Sequence, residues 1–150
     1  MTASNRVELV FPSEFRHVDL VHSVCDRVSA VVGFDEDQAM NLGLAVREAT
    51  INAIKHGNRM NARKKVSVLF QFDKRDVIVS VQDQGHGFDP STMRDPTLPE
   101  NIDRPNGRGF LLMRAFVDRI EVEPVRRGTV VRLIKRVPDA ATRRGRRGRS

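Results

Sequence analysis

The stretch EATINAIKHGN, residues 48–58, lies late in a long helical pattern and is the part of the chain that decides the fold. At a helical advance of roughly 100° per residue, its polar side chains fall on one stripe between two apolar flanks. A surface helix usually has one apolar face and one broad polar face, so this arrangement indicates a cleft. A helix with a few solvated polar groups is the alternative that this stretch leaves open. The stripe consists of Asn41, Glu48, Asn52 and Lys55.

The composition of the 150 residues fits one soluble domain, with 39% hydrophobic and 30% charged residues. No apolar run approaches the length of a membrane span, and the N-terminus has no signal-peptide core. Cys25 is the single cysteine, which excludes an internal disulfide and a cysteine-based zinc site. We therefore expect a cytoplasmic protein that does not contact a membrane.

The net charge of +7 is concentrated at the C-terminal end, where residues 138–150 hold five arginines and one acid. We predict a domain at residues 1–137, followed by a disordered, arginine-rich tail at residues 138–150. A solubilising role is the simpler interpretation of this tail, and contact with nucleic acid or an acidic partner is the alternative. Aromatic residues make up only 5% of the chain, so no specific nucleic-acid binding is expected.

The order of secondary structure follows from apolar alternation, helical periodicity and turn residues. Ser13 is predicted to cap the first helix, and Asp35 with Gln38 resembles a capping box that opens the second. Gly57 is predicted to close the second helix. The predicted strands lie at 7–12, 66–72, 77–81, 120–122 and 129–135, and the predicted helices lie at 14–32, 35–57 and from about 110 to about 116.

Asp83 continues the alternation of the strand at 77–81, so its carboxylate is predicted to point toward the covered face of the sheet. A carboxylate there needs a partner. An aspartate that forms a turn at a strand end is one interpretation, and a ligand-binding group is the other. Gly85 and Gly87 follow at once and allow a tight turn with close approach to a ligand.

Residues 89–106 form a loop with four prolines that is too long for a plain connection, and such loops are often lids. The segment NGRGF at 106–110 then precedes a helix. Glycine beside a helix N-terminus offers backbone N–H groups and the positive end of the dipole to an anion. The chain has no GxxxxGK[ST] motif, so it is not a P-loop protein.

Taken together, the order and spacing of these motifs resemble the ATP-binding domain shared by gyrase, Hsp90, histidine kinases and MutL. Within that superfamily, the chain resembles the small anti-sigma-factor serine kinases, over about residues 5–136. The resemblance implies an α+β fold, a two-layer α/β sandwich with helices on one face of a mixed, mostly antiparallel sheet (the Bergerat-type ATP-binding fold). The motifs are Glu48-x-x-x-Asn52, Asp83-x-Gly85-x-Gly87, Gly107-x-Gly109 and Gly128-Thr129.

The resemblance also implies roles for single residues. Glu48 would be the catalytic general base, and Asn52 would coordinate the Mg²⁺ that bridges the phosphates. Asp83 would accept a hydrogen bond from the adenine amino group, with Thr129 nearby.

The glycine segments have implied roles as well. Gly85 and Gly87 would let the base enter, and the segment at 107–109 would cradle phosphates. Either Arg104 or Arg108 would meet the terminal phosphate, and the sequence does not rank the two. The residues implied to bind ATP are Asn52, Asp83, Gly85, Gly87, Arg104, Gly107, Arg108, Gly109 and Thr129.

The implied function is that of an ATP- and Mg²⁺-dependent serine/threonine-protein kinase in transcription regulation. It would phosphorylate a small anti-sigma antagonist on serine and sequester an alternative sigma factor, with a homodimer left open. The alternative is a non-catalytic ATP- or ADP-binding module that regulates its partner by sequestration only. Glu48 and Asn52 are both present, which favours the enzyme because binding alone needs no general base.

Overall fold

The computed structural model describes residues 5–85 and 105–139, and within 105–110 it describes the backbone alone. No helix in these ranges is long and apolar enough to span a membrane. The domain boundary at residue 137 stays a prediction, because most of the tail lies outside the described residues. The elements are β1 (Asn5–Pro12), α1 (Val18–Val32), α2 (Glu36–Asn52), β2 (Lys65–Phe72), β3 (Asp76–Gln82), α3 (Pro105–Phe116), β4 (Arg119–Val125) and β5 (Gly128–Arg136).

The five strands form one sheet in the order β1-β2-β3-β5-β4, and each of the four neighbouring pairs is antiparallel. Along β2, Val66, Val68 and Phe70 are fully buried, whereas the residues between them are partly exposed. This alternation leaves one face for the helices to cover. The predicted α+β sandwich is therefore confirmed, and within the described residues its sheet is antiparallel throughout and not mixed.

The core lies between this face and the helices. Leu42 and Val46 of α2 are fully buried in one cluster with the inward side chains of β2 and β3. Fully burying side chains of this size stabilises the fold by about 1.5–3 kcal/mol each. Helices α1 and α2 approach closely at Gly43, where an added Cβ would lie 3.0 Å from Cε1 of His22.

The two predicted N-caps have different outcomes. At α2 the capping box is confirmed: Asp35 accepts from the Gln38 backbone N–H at 2.8 Å, and Gln38 accepts from the Asp35 N–H at 3.0 Å. At α1 the prediction is wrong, because a 3₁₀ turn at Phe15–His17 precedes the helix. The Ser13 hydroxyl instead donates to the carbonyl of Lys64 at 2.6 Å, a partner distant in sequence.

Helix α2 continues directly into a π-helical turn at Ala53–Gly57. Its signature is the bond from the Asn58 N–H to the carbonyl of Ala53, five residues earlier, at 2.8 Å. A π turn holds more residues than an α turn, so side chains after Asn52 leave the 100° spacing assumed from the sequence. The turn ends at Gly57, the residue predicted to close the helix.

The capping box supplies a test of helix α2. Asp35→Ala removes the carboxylate that accepts from Gln38, so we expect the free energy of unfolding to fall by about 1 kcal/mol. Urea denaturation followed by circular dichroism measures this loss. Asp37→Ala is the matched control, because it makes the same charge change in the same turn but keeps the box. If the free energy of unfolding falls equally in both variants, the loss in Asp35→Ala is due to the missing charge and not to the capping box.

Candidate functional site

Asp83 lies just after β3 and is buried, with 8% of its surface exposed, as the alternation of the strand predicted. Its Oδ1 accepts the backbone N–H of Gly85 at 2.9 Å and that of Thr129 at 3.2 Å. Its own N–H donates to the carbonyl of Thr129 at 3.1 Å. The structure therefore brings together three of the residues that the sequence singled out, from the ends of two neighbouring strands.

The electrostatics of this carboxyl group result from two opposed effects. Burial raises the pKa of Asp83 above its ordinary value, because desolvation disfavours the charged form. The backbone N–H groups of Gly85 and Thr129 lower the pKa in turn, because they stabilise the carboxylate. A buried acceptor fixed by backbone donors is suited to a ligand that offers a further donor.

The second carboxylate oxygen of Asp83 supplies that free acceptor. Oδ2 has no hydrogen-bond partner among residues 5–85 and 105–139, whereas Oδ1 accepts two N–H groups. It lies against the backbone of Gly57, at the end of the π turn. The two oxygens thus differ: one is held by the protein and the other remains available.

Three glycines surround Asp83, and none has room for a side chain. An added Cβ at Gly57 would lie 2.8 Å from Cβ of Asp83 and closer still to its carboxylate. A Cβ at Gly85 would lie 3.0 Å from the carbonyl carbon of Gly57. Gly128 has a φ of +125°, which L side chains rarely adopt, and its Cβ would lie 2.7 Å from the carbonyl carbon of Asp83.

Gly57 is a functional candidate that the sequence did not reveal. A glycine after a helical pattern was taken as a helix end, which is its usual role. Its contact with Asp83 spans two segments that are distant in the chain, so no local pattern contains it. An alignment of related sequences that kept glycine here after helix ends had changed would be the signal to look for.

Glu48 and Asn52 are both half-buried and lie one turn apart on α2, so their side chains are neighbours. The Nδ2 atom of Asn52 is buried and finds no hydrogen-bond partner in the described part of the chain. A buried polar group without a partner costs free energy, so it needs an explanation. A ligand beside Asn52 would supply one.

Two basic side chains, Lys55 and His56, lie in the π turn that follows α2. Partial burial and the neighbouring Lys55 charge lower the pKa of His56, and the Glu48 carboxylate opposes this effect. His56 is therefore within electrostatic range of both Lys55 and Glu48. The net effect is a pKa of His56 below that of a free histidine.

Helix α3 begins at Pro105, so the expectation that the glycine segment precedes the helix is wrong. Gly107, Arg108 and Gly109 lie in its first turns. Proline is favoured at the start of a helix because its fixed φ suits the first turn and its missing N–H is not needed there. Gly87 and Arg104 lie outside the described residues, so their predicted roles stay predictions.

A separate cavity of about 530 Å³ lies at the opposite end of α2. Asn41, the first residue of the predicted polar stripe, lines it together with Asp35 and Lys135. Asn41 therefore lies apart from Asn52, at the other end of the same helix. The residues of the polar stripe therefore lie at two separate places on the molecule.

Comparison with known proteins bears on this geometry. Residues 11–135 match the model of the histidine kinase-like ATPase domain. The serine-protein kinase RsbW of Bacillus licheniformis is 27% identical over 151 residues, covering 93% of this chain and 94% of that protein. The serine-protein kinase RsbW of Staphylococcus epidermidis is 31% identical over 124 residues, covering 77% of each protein.

A solved structure agrees on the fold. The crystal structure of the RsbU and RsbW domains of Rv1364c from Mycobacterium tuberculosis matches with a TM-score of 0.65 at 17% identity, over 89% of this chain. This chain corresponds to 32% of that larger protein. Sequence and structure together lead to one assignment: the chain belongs to the histidine kinase-like ATPase family and, within it, to the anti-sigma-factor serine kinases related to RsbW.

Proposed function

We propose that this chain transfers the terminal phosphoryl group of ATP to a serine of a small anti-sigma antagonist and, in a second state, sequesters an alternative sigma factor. The observation that carries the ATP site is the buried Asp83 carboxylate, with one oxygen held by backbone N–H groups and the other free. The names of the RsbW relatives support a serine kinase. A role with sigma factors would place the chain in transcription regulation, and thus in the cytoplasm.

The free oxygen of Asp83 suits the adenine end of ATP. The exocyclic amino group of adenine donates hydrogen bonds, whereas guanine has a carbonyl oxygen at the same position. A carboxylate oxygen therefore accepts from adenine and repels guanine. The close packing at Gly57, Gly85 and Gly128 leaves no room for a side chain and holds the Asp83 carboxylate between backbone segments. Asp83 therefore presents its free oxygen from a fixed position, which suits recognition of the adenine amino group.

Asn52 fits the metal end of the nucleotide. Its amide has an unpaired buried Nδ2, so hydrogen bonding within the described protein does not fix which way the amide faces. Magnesium takes oxygen ligands and keeps several waters, so one amide oxygen beside phosphate oxygens is sufficient. When bound, Mg²⁺ neutralises charge that develops on the phosphates during transfer.

The start of α3 suits the phosphates. The first N–H groups of a helix have no partner within it, and in α3, which begins at Pro105, they include that of Gly107. We assign the segment of Gly107, Arg108 and Gly109 to the phosphate cradle, with the Gly107 N–H as its backbone donor. Arg104 or Arg108 is the proposed partner of the terminal phosphate.

Glu48 is the proposed general base, because it is one helical turn from Asn52 and carries a carboxylate. It takes the proton of the incoming serine hydroxyl as the oxygen–phosphorus bond to serine forms. The bond between the terminal phosphorus and the bridging oxygen breaks, and ADP leaves with the electron pair. The products are phosphoserine and ADP, with the proton held on Glu48.

Substitution of Asp83 tests recognition of the base. Asp83→Asn replaces the free acceptor by an N–H donor that opposes the adenine amino group. We expect the dissociation constant for ATP to rise about tenfold and the preference for ATP over GTP to fall. Calorimetric titration with both nucleotides measures this. Asp73→Asn is the matched control, because Asp73 also accepts two backbone N–H groups, in the β2–β3 turn. Unchanged ATP affinity in Asp83→Asn would remove Asp83 from the site.

Substitution of Glu48 separates chemistry from binding. Glu48→Gln keeps the size of the side chain but removes the base, so single-turnover transfer to the antagonist should slow by about 10²–10⁴-fold with ATP affinity retained. Glu36→Gln, exposed in the first turn of the same helix, should transfer at the normal rate. A normal rate in Glu48→Gln would contradict the assigned base. Wild-type protein that binds ATP but phosphorylates no antagonist would support regulation by sequestration alone.

Substitution of Asn52 tests the metal. In wild type, we expect Mg²⁺ to strengthen ATP binding, and in Asn52→Ala this dependence should be lost because the amide oxygen is gone. Titrations of ATP with and without Mg²⁺ measure the difference. Asn41→Ala makes the same change at the far end of the stripe and should keep the dependence. Full Mg²⁺ dependence in Asn52→Ala would assign the metal to other ligands.

A further inference from the structure

Asn58 is a buried polar residue that the proposed mechanism does not use. It directly follows the π turn and is 1% exposed. Its side chain lies where four segments meet: the residue after β1, the end of the π turn, the start of β2 and the residues after β3. A fully buried amide at such a junction costs free energy unless its hydrogen bonds are made.

The amide of Asn58 makes three hydrogen bonds. Nδ2 donates to the Ser13 hydroxyl at 2.7 Å and to the carbonyl of Lys65 at 3.0 Å, while Oδ1 accepts the backbone N–H of Gln84 at 2.7 Å. These partners fix the orientation of the amide. A flipped amide would place a donor against the Gln84 N–H and an oxygen against the Lys65 carbonyl.

The hydrogen bond from the Gln84 N–H to Asn58 holds the chain beyond the end of the β2–β3 ladder. The ladder between β2 and β3 ends at the pair of Ser67 and Gln82. Beyond it, the Gln84 N–H is bound by Asn58, and the Gln84 side chain accepts the N–H of Lys65 at 2.7 Å. Gln84 lies between Asp83 and Gly85, so this anchor fixes both residues.

We propose that Asn58 is a positioning residue that orients Asp83–Gly85 for nucleotide binding and thereby sets the affinity for ATP. The proposal rests on the proposed role of Asp83 at the adenine. Asn58 is buried beneath this segment, so it acts through the Gln84 peptide and not by contact with the nucleotide. Its position directly after the π turn links the end of α2, where Asn52 lies, to the segment that carries Asp83.

A purely structural role makes a different prediction. Ser13 belongs to the same cluster of hydrogen bonds, but it joins Asn58 to Lys64 and does not contact the Asp83–Gly85 segment. Ser13→Ala removes that arm and leaves the bond from Gln84 to Asn58. Asn58→Leu keeps the number and branching of the side-chain heavy atoms but leaves the Gln84 N–H without its acceptor. If Asn58 only stabilises the fold, each of the two variants should differ from the wild-type chain in melting temperature alone.

The test compares the wild-type chain with Asn58→Leu and Ser13→Ala by thermal melting, calorimetric titration with Mg-ATP, and hydrogen exchange of the Gln84 amide without nucleotide. In Asn58→Leu, we expect the dissociation constant for ATP to rise about tenfold and the Gln84 amide to exchange faster. In Ser13→Ala, we expect a lower melting temperature with wild-type ATP affinity and wild-type exchange. If Asn58→Leu does not fold, Asn58→Ser replaces it, since its shorter side chain does not reach Gln84.

Wild-type ATP affinity and Gln84 exchange in the Asn58 variant would overturn the proposal. Equal losses of ATP affinity in the Asn58 and Ser13 variants would do the same. A wild-type chain that binds no ATP would defeat the proposed function. In that case, faster Gln84 exchange in the Asn58 variant alone still supports the positioning of the segment, and equal exchange in both variants overturns it.

Discussion

The end of the π turn and the residues after β3 meet backbone against backbone, and the proposed site depends on this contact. The carbonyl of Gly57 faces Gly85, and the Asp83 carboxylate lies against Gly57 itself. A side chain on either glycine would force the helix away from the sheet. The contact joins the turn that follows Asn52 to the segment that carries Asp83. The proposed ATP site therefore requires glycine at both positions.

Much of the fold could be predicted because it is determined by near neighbours in the chain. Strand β3 has one covered face, so apolar alternation revealed it, and the same alternation predicted that Asp83 is buried. The capping box joins Asp35 and Gln38, three residues apart, so a local pattern contains all of it. The combination of motifs then identified the family, which the family model and the RsbW relatives confirm.

The features that complete the site could not be predicted, because they depend on residues far apart in the chain. The bond between Asn58 and Gln84 spans 26 residues, and the bond between Asn58 and Ser13 spans 45. Ser13 was expected to cap a helix, but the Lys64 carbonyl is the partner that its hydroxyl finds in the fold. The π turn has no signature in residue type, so the positions of side chains after Asn52 did not follow from periodicity.

The most direct measurement is a crystal structure of the chain with Mg²⁺ and a non-hydrolysable ATP analogue. We expect the adenine amino nitrogen at about 3 Å from Oδ2 of Asp83, while Oδ1 keeps its bonds to Gly85 and Thr129. We also expect the amide oxygen of Asn52 among the magnesium ligands. An adenine bound elsewhere, with Oδ2 of Asp83 still lacking a donor, would contradict the proposed nucleotide site.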